Sequence, residues 1–116
     1  MSQITSQTLT ELVKNVKEKN ISSEETTKAF IERGEKSNDL NTYITQDFSS
    51  ALNKAKNFDQ KPNFDLKLPG IPMAVKDLFC TIGVKTTAGS KILSNFIPSY
   101  ESTVTQNIWK EGAILL

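Results

Sequence analysis

Residues 68–89 read LPGIPMAVKDLFCTIGVKTTAG, and this stretch leaves the chain few ways to fold. Pro69, Gly70 and Pro72 stand at its start. A proline lacks the N–H that a helix needs and locks φ, so no helix runs through this point. The apolar run Met73-Ala74-Val75 follows at once and stops on the charged pair Lys76-Asp77. A run that short after a Pro-Gly turn predicts a strand over 72–75. Lys76 then stands at the strand end, where it has two readings. Exposed, as lysines usually are, it lays its stem over apolar neighbours and keeps its ammonium in water. Buried, it has a lowered pKa and a neutral amine able to act as a base.

The residues before this stretch predict helices. Thr8 and Glu11 have capping-box spacing, and Leu9, Leu12, Val13 and Val16 recur at helical intervals, which gives a helix over 8–20. Ser22 and Glu25 repeat the spacing and start a second helix over 22–36, with Ile21 placed to staple it. Its apolar stripe is thin (Ala29, Phe30, Ile31), and Gly34 weakens its last turn. A polar turn at 37–39 leads into NTYIT over 41–45, which reads as a short strand. Phe48, Ala51, Leu52, Ala55 and Phe58 share one face of a third helix over 48–58, with Asp47 as its N-cap. Residues 59–65, DQKPNFD, read as a polar connection without chemistry.

Beyond Lys76 lies Cys80, the single cysteine of a chain without histidine. A thiolate nucleophile there needs a cationic neighbour such as Lys76 or Lys85; the plainer reading is a buried thiol. Gly83, Thr86, Thr87, Gly89 and Ser90 form a loop that lacks the P-loop pattern for cradling ATP, and Ser90 has no nucleophile elbow around it. After a turn at 94–99, a helix is expected from Ser99 or Glu101 to about Lys110, with Val104, Ile108 and Trp109 inward and Gly112 as its terminator. Residues 113–116 read as the start of a strand. The order strand, helix, strand makes this an α/β chain, with an N-terminal helical segment over 1–60 and the start of a sheet domain over 61–116. A chain that stops inside its most apolar run is expected to be the truncated, N-terminal piece of a longer protein.

The motifs Gly70-Ile71-Pro72-Met73-Ala74-Val75-Lys76-Asp77, then Gly83, Thr86-Thr87, Ser90-Lys91-Ile92-Leu93 and Tyr100-Glu101-Ser102-Thr103-Val104 occur in an order that resembles the lysine-bearing segment of the amidase signature family. The resemblance runs from about Leu9 to the last residue, and in detail it is most similar to the glutamine-hydrolysing subunits of tRNA-dependent amidotransferases. It implies a mixed sheet layered between helices, of which this chain holds the beginning, with residues 83–90 beside the active site. It implies a Ser-Ser-Lys triad in which Lys76 matches the lysine and serves as base. Both serines are absent from this chain, since none of Ser90, Ser94, Ser99 or Ser102 lies in the matching segment. A free lysine has a pKa of about 10.4, so such a base must be desolvated or set near other positive charge. The resemblance further implies no cofactor and no metal held by this chain; ATP and magnesium are used through a partner subunit. That partner belongs to a heterotrimer with subunits B and C, where ammonia from glutamine amidates glutamate on misacylated tRNA(Gln). Leu78 and Gly89 depart from the family pattern, which usually has asparagine and alanine there.

Composition narrows the classes. Fourteen basic residues against 13 acidic ones give no broad positive face for nucleic acid. The absence of histidine rules out a Ser-His-Asp triad within these residues and would leave zinc only unusual ligands. No 18-residue apolar run and no basic-then-apolar leader is present, and with one cysteine the expected location is the cytoplasm. Two other readings stand beside the first: a hydrolase of another small amide, and a non-catalytic scaffold or interaction fragment. The enzyme reading expects Lys76 buried in the complete protein and the 116 residues inactive by themselves, whereas the scaffold reading expects Lys76 exposed and dispensable.

Overall fold

A computed structural model describes residues 3–116. Four helices, α1 (Leu9–Lys17), α2 (Ser23–Lys36), α3 (Phe48–Gln60) and α4 (Thr103–Lys110), surround two short strands, β1 (Pro72–Met73) and β2 (Ile114–Leu115). The chain is thus α/β, as the alternation predicts. Single 3-10 turns occupy Ile4–Ser6 and Asn38–Leu40.

The strands are parallel, with Pro72 beside Ile114 and Met73 beside Leu115. Parallel neighbours need a long crossover, here residues 74–113 with α4 inside it. The ladder is longer than the two strands. The Leu68 N–H donates to the Glu111 carbonyl at 2.9 Å, and the Gly70 N–H to Gly112 at 3.0 Å. The Ile114 N–H then donates to Ile71 at 2.9 Å, and the Leu116 N–H to Met73 at 3.1 Å. β1 ends at Met73, two residues before the expected Val75, because its ladder bonds reach only as far as Leu116.

Two apolar clusters flank the ladder. Ala51, Ala55, Ile114 and Leu116 form one, with Phe30, Ile31, Tyr43 and Phe48 against it. Leu12, Val16 and Ile71 form the other, with Ile21, Phe58, Phe64 and Leu68 among its partly buried neighbours. Phe30 of α2 touches both. Both predicted capping boxes form, Thr8 with Glu11 and Ser22 with Glu25. The thin stripe of α2 works because its buried face is small and polar: Ser23, Thr26, Thr27 and Ala29. Small side chains let the backbone of 69–71 approach closely, and the Ser23 hydroxyl donates to the Gly70 carbonyl at 2.5 Å. Gly34 has a packing reason as well, since a Cβ there would meet the rings of Phe48 and Tyr43 at 3.2 and 3.3 Å.

Besides the shorter β1, and α1 ending at Lys17 before the left-handed Lys19 and not at residue 20, four expectations need correction. Residues 41–45 form no strand; Asn41 is left-handed (φ 50°), which turns the chain, and Tyr43 instead packs edge-on against Phe48 at 5.7 Å. Asp47 precedes α3 without a capping hydrogen bond from its side chain. α3 runs on to Gln60, so Asp59 is helical and reaches across to α2, where its carboxylate accepts from the N–H groups of Ser23 at 2.9 Å and Glu24 at 2.8 Å. An acid at a helix start satisfies free donors and complements the dipole. Val104 of α4 is exposed, while its neighbour Thr105 is buried and turned inward by hydrogen bonds to Glu101 and to the Cys80 carbonyl.

Gly70 has the tightest surroundings of the chain's five glycines. Its φ is +65°, and a Cβ there would lie 2.5 Å from the Ser23 Oγ and 2.6 Å from the Phe58 ring. Gly70→Ala is expected to cost about 3 kcal/mol, from overpacking plus a left-handed alanine. Urea unfolding checks this: the midpoint should fall well below that of the parent chain.

Candidate functional site

Leaving the ladder after Met73, the backbone runs into a cavity of about 440 Å³. Residues 74–79 form one wall, and Thr86, Ala88 and Gly89 another; residues 42–45 and Leu115-Leu116 close the remainder. Lys76 and Lys85 both line it, and both are exposed. Among the described residues Lys76 makes no ion pair and no side-chain hydrogen bond. No serine stands in the lining. Lys76 therefore lies three residues beyond the end of β1, not directly at the strand end as expected, and within these residues it is exposed. Leu78, also in the lining, is 48% exposed.

Asp77 also lines the cavity, but its carboxylate is engaged by the facing loop. Its carboxylate accepts from the Thr87 N–H at 2.9 Å and from the Thr87 hydroxyl, and its carbonyl accepts from the Ala88 N–H at 2.7 Å. The Thr87 hydroxyl in turn accepts from the Gly89 N–H at 3.2 Å, which leaves its proton for the carboxylate. Ala88 is left-handed (φ 50°), a conformation that L-residues avoid, and the hydrogen bond from its N–H to the Asp77 carbonyl holds it there. The loop of residues 83–90 is thus tied directly to the segment that carries Lys76. Ser90 takes part only through its backbone, donating to the Thr87 carbonyl.

Cys80 does not line the cavity. It is half-buried and free, with its thiol 3.5 Å from the exposed Tyr100 hydroxyl, so neither lysine of the cavity forms a nucleophilic pair with it. Its carbonyl accepts from the Ser102 N–H at 2.8 Å, which anchors the start of α4. Ser102 caps that helix through the Thr105 N–H. Glu101 gathers three donors: the Thr105 hydroxyl, the Trp109 indole at 3.0 Å and the Ile82 N–H at 3.1 Å. This acid ties the loop after Cys80 to α4.

The sequence reading placed Lys76 and the 83–90 loop at one site, and the structure brings them together. It missed Asp59, Asp77 and Glu101 as anchors. Asp59 and Asp77 take donors from other segments, which no periodicity signals, whereas Glu101 joins Ile82 to Thr105 and Trp109, the latter two at helical spacing from it. The one local hint was composition, since threonines at 86 and 87 offer hydroxyl donors to an acid.

A profile of the family described as Amidase matches residues 25–116, most of the chain and all of the site. The chain belongs to the amidase family. The likeness at the level of whole sequences is specific. Over all 116 residues the chain is 84% identical to a protein from Pelagibacter ubique (strain HTCC1062), named as the A-subunit of glutamyl-tRNA(Gln) amidotransferase. Proteins of the same name from Rickettsia bellii (strain OSU 85-389) and Hyphomonas neptunium (strain ATCC 15444) are each 44% identical over 118 aligned residues. The chain spans 24% of the length of each of these relatives. Among solved structures, a chain from a study of a vestigial protein complex and the origins of an s-triazine catabolic enzyme superposes with a TM-score of 0.83. It is 24% identical, and the match covers 95% of this chain and 25% of that one. An inhibitor-bound form of the same complex gives a TM-score of 0.84 at the same identity. The amidase fold of this region is therefore shared despite low sequence identity. No described helix is long and apolar enough to cross a membrane.

Burial pushes the Glu101 carboxyl up, but hydrogen bonds from Thr105, Ile82 and Trp109, with the charge of Lys54, outweigh it and hold the group below the usual value of 4.5. A lowered folded pKa means stability that is present above the unfolded value and lost as pH falls through the folded one. Thermal unfolding followed from pH 7 downward is expected to show a loss of stability beginning near 4.5. Glu101→Gln should flatten that part of the curve; an unchanged slope would remove Glu101 as its source.

Proposed function

We propose that these residues belong to a glutamine-hydrolysing amidase subunit, one that supplies ammonia for ATP-dependent conversion of Glu-tRNA(Gln) to Gln-tRNA(Gln). The observation that carries this reading is the 84% identity, over the whole chain, to a relative of that name. The placement of Lys76 in the lining of a cavity of about 440 Å³, three residues beyond β1, supports it.

In this reading Lys76 is the base of a Ser-Ser-Lys triad. Its neutral amine takes a proton from a bridging serine hydroxyl, which takes one from the nucleophilic serine as that attacks the glutamine side-chain amide. Ammonia leaves with a proton returned along the same path, and water then cleaves the acyl-serine ester to release glutamate and restore the serine. Neither serine is supplied by the cavity walls described above, and in this reading both come from the remainder of the subunit. The arrangement also needs water kept from Lys76, and further protein must provide that cover, because a solvated ammonium is a poor base. ATP and magnesium are used through the partner subunit of a heterotrimer with subunits B and C, and the assembly works in the cytoplasm on misacylated tRNA.

A chimera tests the reading: the Pelagibacter relative with its first quarter replaced by this chain, assembled with its partner subunits. Glutamine hydrolysis is expected in the parent chimera. Lys76→Ala should lower kcat by about 10²–10⁴-fold, the usual worth of a general base. Lys76→Arg should not rescue it, because a guanidinium stays protonated. Full activity in Lys76→Ala would exclude the triad role.

A further inference from the structure

We propose that Asp77 is a positioning residue for the substrate wall of this cavity: its carboxylate latches the loop of residues 86–89 in the shape that glutamine meets. This rests on the amidase reading above. Three facts carry it. Asp77 directly follows Lys76, so the latch and the amine share one short piece of backbone. Thr87, the residue it holds, is buried, and both its N–H and its hydroxyl go to the same carboxylate. The residues on either side of Thr87 are the ones that line the cavity, and one of them, Ala88, is held left-handed by the Asp77 carbonyl.

The consequence is geometric. Removing the carboxylate leaves two buried donors on Thr87 without a partner, which is costly enough to rearrange so short a loop. The loop would turn Thr87 toward water, and Thr86, Ala88 and Gly89 would leave the wall. Asp77 itself touches no reacting atom in this account. Its loss changes the fit of the substrate more than the proton transfer at Lys76. The effect belongs in KM for glutamine, not in kcat.

The test uses the assembled full-length chimera with glutamine as substrate. Asp77→Ala is expected to raise KM for glutamine about tenfold while kcat changes less than about threefold. Thr87→Val, which removes only the hydroxyl, should raise KM by a smaller factor, and Thr87→Ser, which keeps both donors, should bring KM back to within about threefold of the parent. General destabilisation lowers the active fraction, and so kcat, without moving KM; the split therefore separates the latch from a purely structural acid. If Asp77→Ala does not fold, the Thr87 pair decides the matter. An unchanged KM in Thr87→Val, or a KM equally raised in Thr87→Ser, overturns the proposal. Lys76→Ala is the control for the reading beneath it: full activity there removes that reading, whereas a dead Lys76→Ala beside an unchanged KM in Asp77→Ala removes this proposal alone.

Discussion

The parallel ladder between residues 68–73 and 111–116 is the interaction on which the rest of this structure depends. It runs from the Leu68 N–H to the Met73 carbonyl, and both apolar clusters form against it, Ile71 in one and Ile114 with Leu116 in the other. Parallel pairing has a large loop-closure cost, because some 40 residues lie between the partners and must be ordered first. That order is supplied by polar latches. Glu101 binds the loop after Cys80 to α4, and Asp77 binds the 86–89 loop to the end of β1. Most of residues 82–104 are exposed, so these latches substitute for a core that this lobe lacks.

The same economy appears where helix meets ladder. α2 presents Ser23, Thr26, Thr27 and Ala29 instead of large apolar residues, and Gly70 faces them with no side chain. Close approach lets the Ser23 hydroxyl satisfy the Gly70 carbonyl, and Asp59 from α3 caps the same helix start. Three elements are thereby fixed at one point just before β1. Gly112 does the matching work on the partner strand: its φ is +95°, and a Cβ would lie 3.0 Å from the Leu68 carbonyl. These two glycines meet in the ladder, the Gly70 N–H donating to the Gly112 carbonyl, just before the strand from which the chain runs on to Lys76.

Function and fold meet at the point where the ladder stops. Strand ends in α/β folds release backbone into loops, and side chains there can face a cavity without breaking the sheet. Lys76 is delivered in this way, and the loop that faces it is anchored by the next residue in the chain. The backbone of Lys76 thus lies between the end of the ladder at Met73 and the loop latched by Asp77. Cys80 lies outside it, held by backbone contacts to α4 and by Tyr100.

The sequence by itself determined the helices, the α/β class and the location of Lys76. Capping boxes, apolar spacing and the Pro-Gly turn are local signals, and each acts within a few residues. The strand over 41–45 failed for the same reason in reverse: its alternation was local, but a strand needs a partner ladder, and the left-handed Asn41 sends the chain elsewhere. Only the tertiary structure decided that Val104 faces out and Thr105 in, since the Cys80 carbonyl that accepts from the Thr105 hydroxyl lies 25 residues back along the chain. It alone decided that Asp59 caps a helix 36 residues away and that Asp77 holds Thr87. An acid shows its charge in the sequence, but its partner is set by how segments distant along the chain are brought side by side.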